Sequence, residues 1–240
     1  MMLDVVCWLW QPPARYRSQY GPNHVNVLRR MVARHYRQPH RFSVITDQPE
    51  SEFEPDVRVI PIWDDFADLP SSYGPRMPSC YRRLKAFSPE MASVIGPRFV
   101  SLDLDCVIVG DVAPLWDRPE DFVVWAATHR RTPYNASMWL TNAGARPQVW
   151  EGFRRSPADA IHAARKAGYY GSDQGWLNHV LGRREAFWSE PDGVYSYRMH
   201  LRAKRGELPA NARIVMFEGS EDPDHVRVQS TAPWVREHYR

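Results

Sequence analysis

Near its middle this chain sets two acidic side chains inside an apolar run, and few folds can absorb that. The stretch Arg98 to Asp111 reads RFVSLDLDCVIVGD, with Asp103 and Asp105 among Phe99, Val100, Leu102, Val107 and Ile108. Extended backbone alternates side chains between faces, so the two carboxylates are expected to point the same way at the end of a buried strand. Buried carboxylates repel and are costly unless neutralised. A divalent cation is the usual neutraliser, and oxygen-only ligands suit Mg²⁺ or Mn²⁺. The bland alternative is a solvated turn between two strands, capped by Asp103.

What precedes the acidic pair decides its setting. Leu3 to Leu9 reads as a buried strand, and Pro22 and Asn23 open a helix burying Val25, Leu28, Met31 and Val32 that stops before Pro39. Phe42 to Thr46 and Val57 to Ile62 read as further strands. Ser79 caps a helical segment with Tyr81, Leu84 and Phe87, and Pro89 starts a short helix up to Gly96. Such alternation argues an α/β sheet with ligands at the carboxyl ends of its strands. Further on, Phe122 to Ala126 and Ser137 to Leu140 are strand candidates around a polar loop, Thr128 to Asn135. Pro147 to Arg155 and the segment after Ser172-Asp173-Gln174 read as helices, and Arg213 to Phe217 as a late strand. No repeat or low-complexity linker divides the 240 residues, so one domain is expected, with an irregular tail over 223–240.

Composition narrows the partners. The net charge of +3 is carried by scattered arginines without a basic block, which gives nucleic-acid binding little support. No apolar run approaches the ~20 residues of a membrane span. The N-terminus lacks a basic region and a small-residue cleavage site. Cys7, Cys80 and Cys106 form an odd, scattered set, which argues reduced thiols and a cytoplasmic location.

Four motifs then fall in a telling order: Tyr81-Arg82-Arg83-Leu84, LDLDCVIVGDVAPLW from Leu102, Asn135-Ala136-Ser137-Met138, and Asp173-Gln174-Gly175-Trp176-Leu177-Asn178. From Val5 to about Gly219 the chain resembles the glycogenin-like retaining glycosyltransferases, family eight. The resemblance implies a single-domain glycosyltransferase A fold with a mixed, mostly parallel central sheet flanked by helices. It implies a nucleotide-binding half, 1–111, and an acceptor-side half, 112–222. It also implies a nucleotide-sugar donor, UDP-sugar favoured, a saccharide or other hydroxyl acceptor, and Mn²⁺ or Mg²⁺. By the family's pattern Asp103 reaches ribose and metal, Asp105 is a metal ligand, and Arg83 lies near the donor phosphates. Tyr20 and the end of the first strand from Trp8 hold the base, with Thr46 and Asp47 at its border. Asp173 and Gln174 line the sugar and acceptor side, and Asn135 matches the Asn of the third motif. From the residues alone, Arg83 also reads as a surface arginine, Asp173 as a helix cap and Asn135 as a turn residue.

One departure stands out. The family follows its late strand with His-x-x-Gly or His-Gly, then Lys-Pro, the His completing the metal site and the Lys contacting phosphate. Here the late strand runs into Glu218-Gly219-Ser220-Glu221-Asp222-Pro223. Glu218 becomes the expected third ligand, the lysine position is acidic, and His225 is a possible substitute ligand. Two alternatives remain: a haloacid-dehalogenase-like phosphatase, since Asp103-Leu104-Asp105-Cys106-Val107 fits that signature, or a non-catalytic nucleotide-sugar-binding relative.

Overall fold

The computed structural model describes residues 2–126 and 132–240, so part of the polar loop expected from Thr128 lies outside the described residues. In chain order the first half runs β1 (Leu3–Leu9), α1 (Pro22–His35), β2 (His40–Thr46), β3 (Val57–Pro61), α2 (Met91–Val94), β4 (Arg98–Leu102) and β5 (Cys106–Ile108). Then follow α3 (Ala113–Trp116), β6 (Phe122–Ala126), β7 (Tyr134–Asn142), α4 (Pro147–Arg155), α5 (Pro157–Lys166), α6 (Asp173–Leu181) and β8 (Ala186–Trp188). The chain ends with β9 (Val194–Ser196), β10 (Ile214–Met216), α7 (Val226–Thr231) and α8 (Trp234–His238).

Seven strands form one sheet in the order β3-β2-β1-β4-β7-β6-β8, and β5-β10-β9 form a small second sheet. Pairings β3–β2, β2–β1, β1–β4 and β6–β8 are parallel, while β7 runs antiparallel to both its neighbours. The large sheet is therefore mixed and mostly parallel, as expected.

Two apolar layers sandwich it, and strand parity sorts the side chains. Val5, Cys7, Leu9, Val44 and Val100 join Val25, Leu28, Met31 and Val32 of α1 on one face. Val6, Trp8, Ile45 and Phe99 meet Tyr81, Leu84, Phe87, Val149 and Phe153 on the other. The three cysteines are free thiols. No described helix is long and apolar enough to cross a membrane.

Local structure differs from the sequence reading in several places. Tyr81–Phe87 is a 3₁₀ helix rather than an α-helix. Strand β7 begins three residues before Ser137 and ends two after Leu140, extended by pairing on both sides. Helix α5 is additional, opened by Pro157 at its first turn. The tail beyond Pro223, expected to be irregular, forms α7 and α8, because Val228, Ala232 and Val235 make a helical stripe buried in the first core layer.

Chain order fixes where a ligand can sit. The chain adds β2 and β3 on one side of β1 and then returns to place β4 on the other side. Such a switch point opens a crevice at the carboxyl ends of the strands. Registers Leu9↔Thr46 and Cys7↔Leu102 bring three strand ends together there.

Candidate functional site at the switch point

A cavity of about 160 Å³ opens at that point, bounded by Trp8, Tyr16, Tyr20, Arg83, Asp103 and Asp105 among others. Trp8 is fixed by donating its indole N–H to Ser101 at 2.8 Å and meets Trp10 edge-on. Tyr20 donates its hydroxyl to Asp222 at 2.9 Å. Thr46 is buried outside the lining, where its hydroxyl accepts the Gln48 amide at 3.0 Å. Asp47 accepts the Gln11 amide at 3.2 Å and so ties the segment after β1 to the end of β2.

The acidic pair occupies a bend, not a continuous strand: β4 ends at Leu102 and β5 begins at Cys106. Asp103 faces Arg83 at 2.9 Å, and its amide donates to the Ser137 carbonyl at 2.9 Å. Asp105 is different. Its buried Oδ1 has no hydrogen-bond partner among the described residues. Burial, reinforced by Asp103, Glu218 and Asp222, pushes its carboxyl up to about 8.

Strand β10 brings the late chain to this bend. Met216 pairs with Cys106, and the Phe217 amide donates to the Asp105 carbonyl at 2.7 Å. One Glu218 oxygen accepts from Ser196 and lies 3.7 Å from Arg198; the other is buried without a partner among the described residues. Burial raises the Glu218 carboxyl too. Orphaned carboxylate oxygens near like charge have the chemistry a hard divalent cation can satisfy, but among the described residues the three-ligand grouping with atoms within 4.8 Å of one another is Asp222, Asp224 and His225, not Asp103, Asp105 and Glu218. The His-x-x-Gly spacing places Met216 three residues before Gly219, and this thioether is fully buried and unsuited to a hard cation. His225 is turned to the Asp222 carboxylate and backbone amide. With Asp224 these two could also hold an ion, but Ser18 and Tyr20 already donate to the Asp222 oxygens.

Arg83 is no surface arginine. It is buried, its guanidinium 4.9 Å from the Trp139 ring and donating to the Ala136 carbonyl. Burial alone would lower its pKa, but Asp103 and Asp173 outweigh that and raise it. Asn135 lies inside β7 at the irregularity opposite Trp125, not in a turn, and its side chain accepts the Ser137 amide at 2.9 Å. Gln174 accepts the Ala136 amide at 3.1 Å and so pins β7 to α6. Ser172, not Asp173, caps α6, accepting the Gly175 amide at 3.1 Å. Half-buried Asp173 is left facing Arg83 and Cys80 electrostatically. Ser137, Trp139, Ser196, Arg198 and Asp222 were not singled out as site residues by the sequence; only the acidic lysine position hinted at the last.

Gly175 makes this corner possible. A Cβ there would fall 1.7 Å from the Tyr170 carbonyl oxygen. Ala for Gly inside a helix ordinarily stabilises by up to about 1 kcal/mol. Gly175→Ala should instead destabilise by about 1–3 kcal/mol in urea unfolding, the usual cost of overpacking. A gain in stability would show that the 170–175 corner yields freely.

No protein-family model matches the chain, and no curated protein matches it in sequence. Solved structures do share its fold. The galactosyltransferase LgtC in complex with donor and acceptor sugar analogs is 14% identical, with a TM-score of 0.67 over 98% of this chain and 96% of that one. The apo-form glycosyltransferase GlyE of Streptococcus pneumoniae TIGR4 is 15% identical, with a TM-score of 0.62 over 94% of this chain and 57% of that one. The bifunctional glycosyltransferase WbbM in its apo form is 14% identical, with a TM-score of 0.56 over 98% and 51%. At such identities the likeness is one of fold: this chain is a single α/β domain built like these glycosyltransferases.

Proposed function

We propose that the chain is a metal-dependent glycosyltransferase that moves a sugar, with retention, from a nucleotide-sugar donor (UDP-sugar favoured) to the hydroxyl of a saccharide or other acceptor. The observation that carries this reading is the switch-point cavity, which has aromatic walls and includes Asp105, one of whose carboxylate oxygens is orphaned, in its lining. Asp105 and Glu218 hold Mn²⁺ or Mg²⁺, with Asp103 at the ribose side; when bound, the ion offsets charge developing on the departing diphosphate. Trp8 and Tyr20 receive the base. Arg83 holds the Asp103 carboxylate in place and adds positive charge beneath the phosphates. Asp173 accepts hydrogen bonds from donor-sugar hydroxyls. Gln174 spends its carbonyl on Ala136, so it offers its amide N–H to the sugar.

A second reading has one observation in its favour. Asp222 brings a further carboxylate to the side of the cavity, which weakens attraction for a diphosphate and suits a protein that binds the donor without transferring. The phosphatase reading implies a motif after the first strand, whereas here it follows the fourth.

Uridine diphosphate and Mn²⁺ together should raise the melting temperature by about 5–10 °C at a hundredfold excess over Kd, and neither should do so alone. That range converts ~2.7 kcal/mol of binding energy for a domain this size. No shift with the pair would remove the donor site. Release of uridine diphosphate from a UDP-sugar separates transfer from binding alone, and inorganic phosphate as the product would favour the phosphatase.

A further inference from the structure

We propose that Tyr73 and Tyr170 form a stacking platform for a pyranose ring of a saccharide acceptor, on the outer side of Asp173; the word acceptor rests on the glycosyl-transfer reading. Large apolar side chains left exposed are few among the described residues, and two of them are these tyrosines, at 51% and 68% exposure. Their rings lie 5.4 Å apart, tilted by 46°.

The backbone that presents them is firmly held. The Tyr170 carbonyl packs against Gly175 so closely that no Cβ fits between. The next carbonyl, of Gly171, accepts the buried Tyr81 hydroxyl. From the facing loop, Tyr73 reaches Ser172 Oγ at 3.4 Å, and its amide contacts Ser71 Oγ at 3.3 Å. An aromatic side chain on a loose loop would be unremarkable. Two exposed rings in mutual contact, one on a braced backbone and the other tied by its hydroxyl to Ser172, are set for contact with something else.

Position and chemistry select the occupant. Asp173 directly follows Ser172, which Tyr73 reaches, and it shares the lining of a small cavity with Arg83. Base-side aromatics Trp8, Trp10 and Tyr20 already line the switch-point cavity. The tyrosine pair therefore stands where a second substrate would approach Asp173. A tyrosine face carries the negative side of its quadrupole and attracts the weakly positive C–H groups on the apolar face of a pyranose. Ser71, whose hydroxyl meets the Tyr73 amide, and Asp173, next to the Ser172 that Tyr73 reaches, suit the hydroxyls of such a ring.

Saturation-transfer NMR with lactose, cellobiose and maltose tests this. In the wild type at least one disaccharide should receive saturation on its ring C–H protons. The double variant Tyr73→Ala/Tyr170→Ala should weaken that binding roughly tenfold, the equivalent of one good stacking contact. Its melting-temperature rise with uridine diphosphate and Mn²⁺ should be unchanged. If the double variant folds poorly, Tyr170→Ser alone serves, since that ring is the more exposed. Absence of saturation on all three sugars, or full signal in the variants, overturns the platform. Saturation that needs the tyrosines, in a protein that ignores uridine diphosphate with Mn²⁺, upholds the platform and sinks the transfer reading instead.

Discussion

Asp105→Asn is expected to weaken Mn²⁺-dependent binding of uridine diphosphate by at least about 100-fold, more than outer-shell changes around metals typically cost. The same change should make the metal-free protein more stable, and the opposite signs are what identify a ligand site. The carboxyl is pushed up from 3.8 to about 8 by burial and by Asp103, Glu218 and Asp222. Between those two values the folded chain holds a proton that the unfolded chain releases. Folding stability contributed by this group therefore falls as pH rises from about 4 to about 8. Asparagine carries no such proton and no repelled charge, so the variant should gain about 1–4 kcal/mol near neutral pH, in the range found when buried charges are replaced. Chemical denaturation of both proteins without metal, followed by calorimetry with Mn²⁺ and uridine diphosphate, reads both effects. Equal metal-dependent affinity in the two proteins would return the acidic pair to a structural turn. A variant less stable than wild type would show that Asp105 has a partner supporting it in the folded chain.

The sheet was the legible part of this chain. Leu3 to Leu9, Phe42 to Thr46 and Phe99 to Leu102 are apolar runs that can only be buried strands, and their intervals leave room for crossovers. The acidic pair was legible as chemistry but not as geometry. Alternation along a strand would have set both carboxylates on one face, yet the chain bends at Asp103, and Arg83 takes that side chain while one Asp105 oxygen finds no partner among the described residues. Glu218 follows the late strand and matches the shorter His-Gly spacing, whereas the longer His-x-x-Gly spacing falls on Met216. What brings Glu218 to the site is the pairing of β10 with β5 and the Phe217–Asp105 hydrogen bond. No local pattern encodes such closure. Asp222 lay further out of reach: Ser18 and Tyr20, its partners, are about 200 residues away in the chain, a separation that local spacing cannot read. Tyr73 and Tyr170 were invisible for the same reason, being neighbours only once the 3₁₀ helix docks against the segment before α6.

Arg83→Ala should cost about 3–5 kcal/mol of folding stability, the penalty for stranding one member of a buried ion pair. A solvated helical arginine would cost almost nothing. The guanidinium lies between Trp8 and Trp139, at 5.9 Å and 4.9 Å from their rings, with Asp103 at 2.9 Å and the Ala136 carbonyl also bound. Its loss leaves Asp103, a quarter exposed at the cavity wall, without its cation, and opens space beside both indoles. Since domains are typically stable by only 5–15 kcal/mol, this variant should be marginal at 37 °C. A double-mutant cycle separates charge from volume. Arg83→Met keeps most of the volume and still strands Asp103, so it should remain strongly destabilised. Adding Asp103→Asn removes the stranded charge and should recover about 2 kcal/mol or more. Arg83→Lys keeps one positive charge without the fork, so it cannot serve Asp103 and the Ala136 carbonyl together, and an intermediate loss is expected. Donor affinity is best read in this lysine variant, which stays folded while its charge shifts beneath the phosphates. A urea midpoint unchanged in Arg83→Ala would place the side chain back in solvent. No recovery from Asp103→Asn would show that Arg83 stabilises the chain by packing on the two indoles rather than by holding the carboxylate.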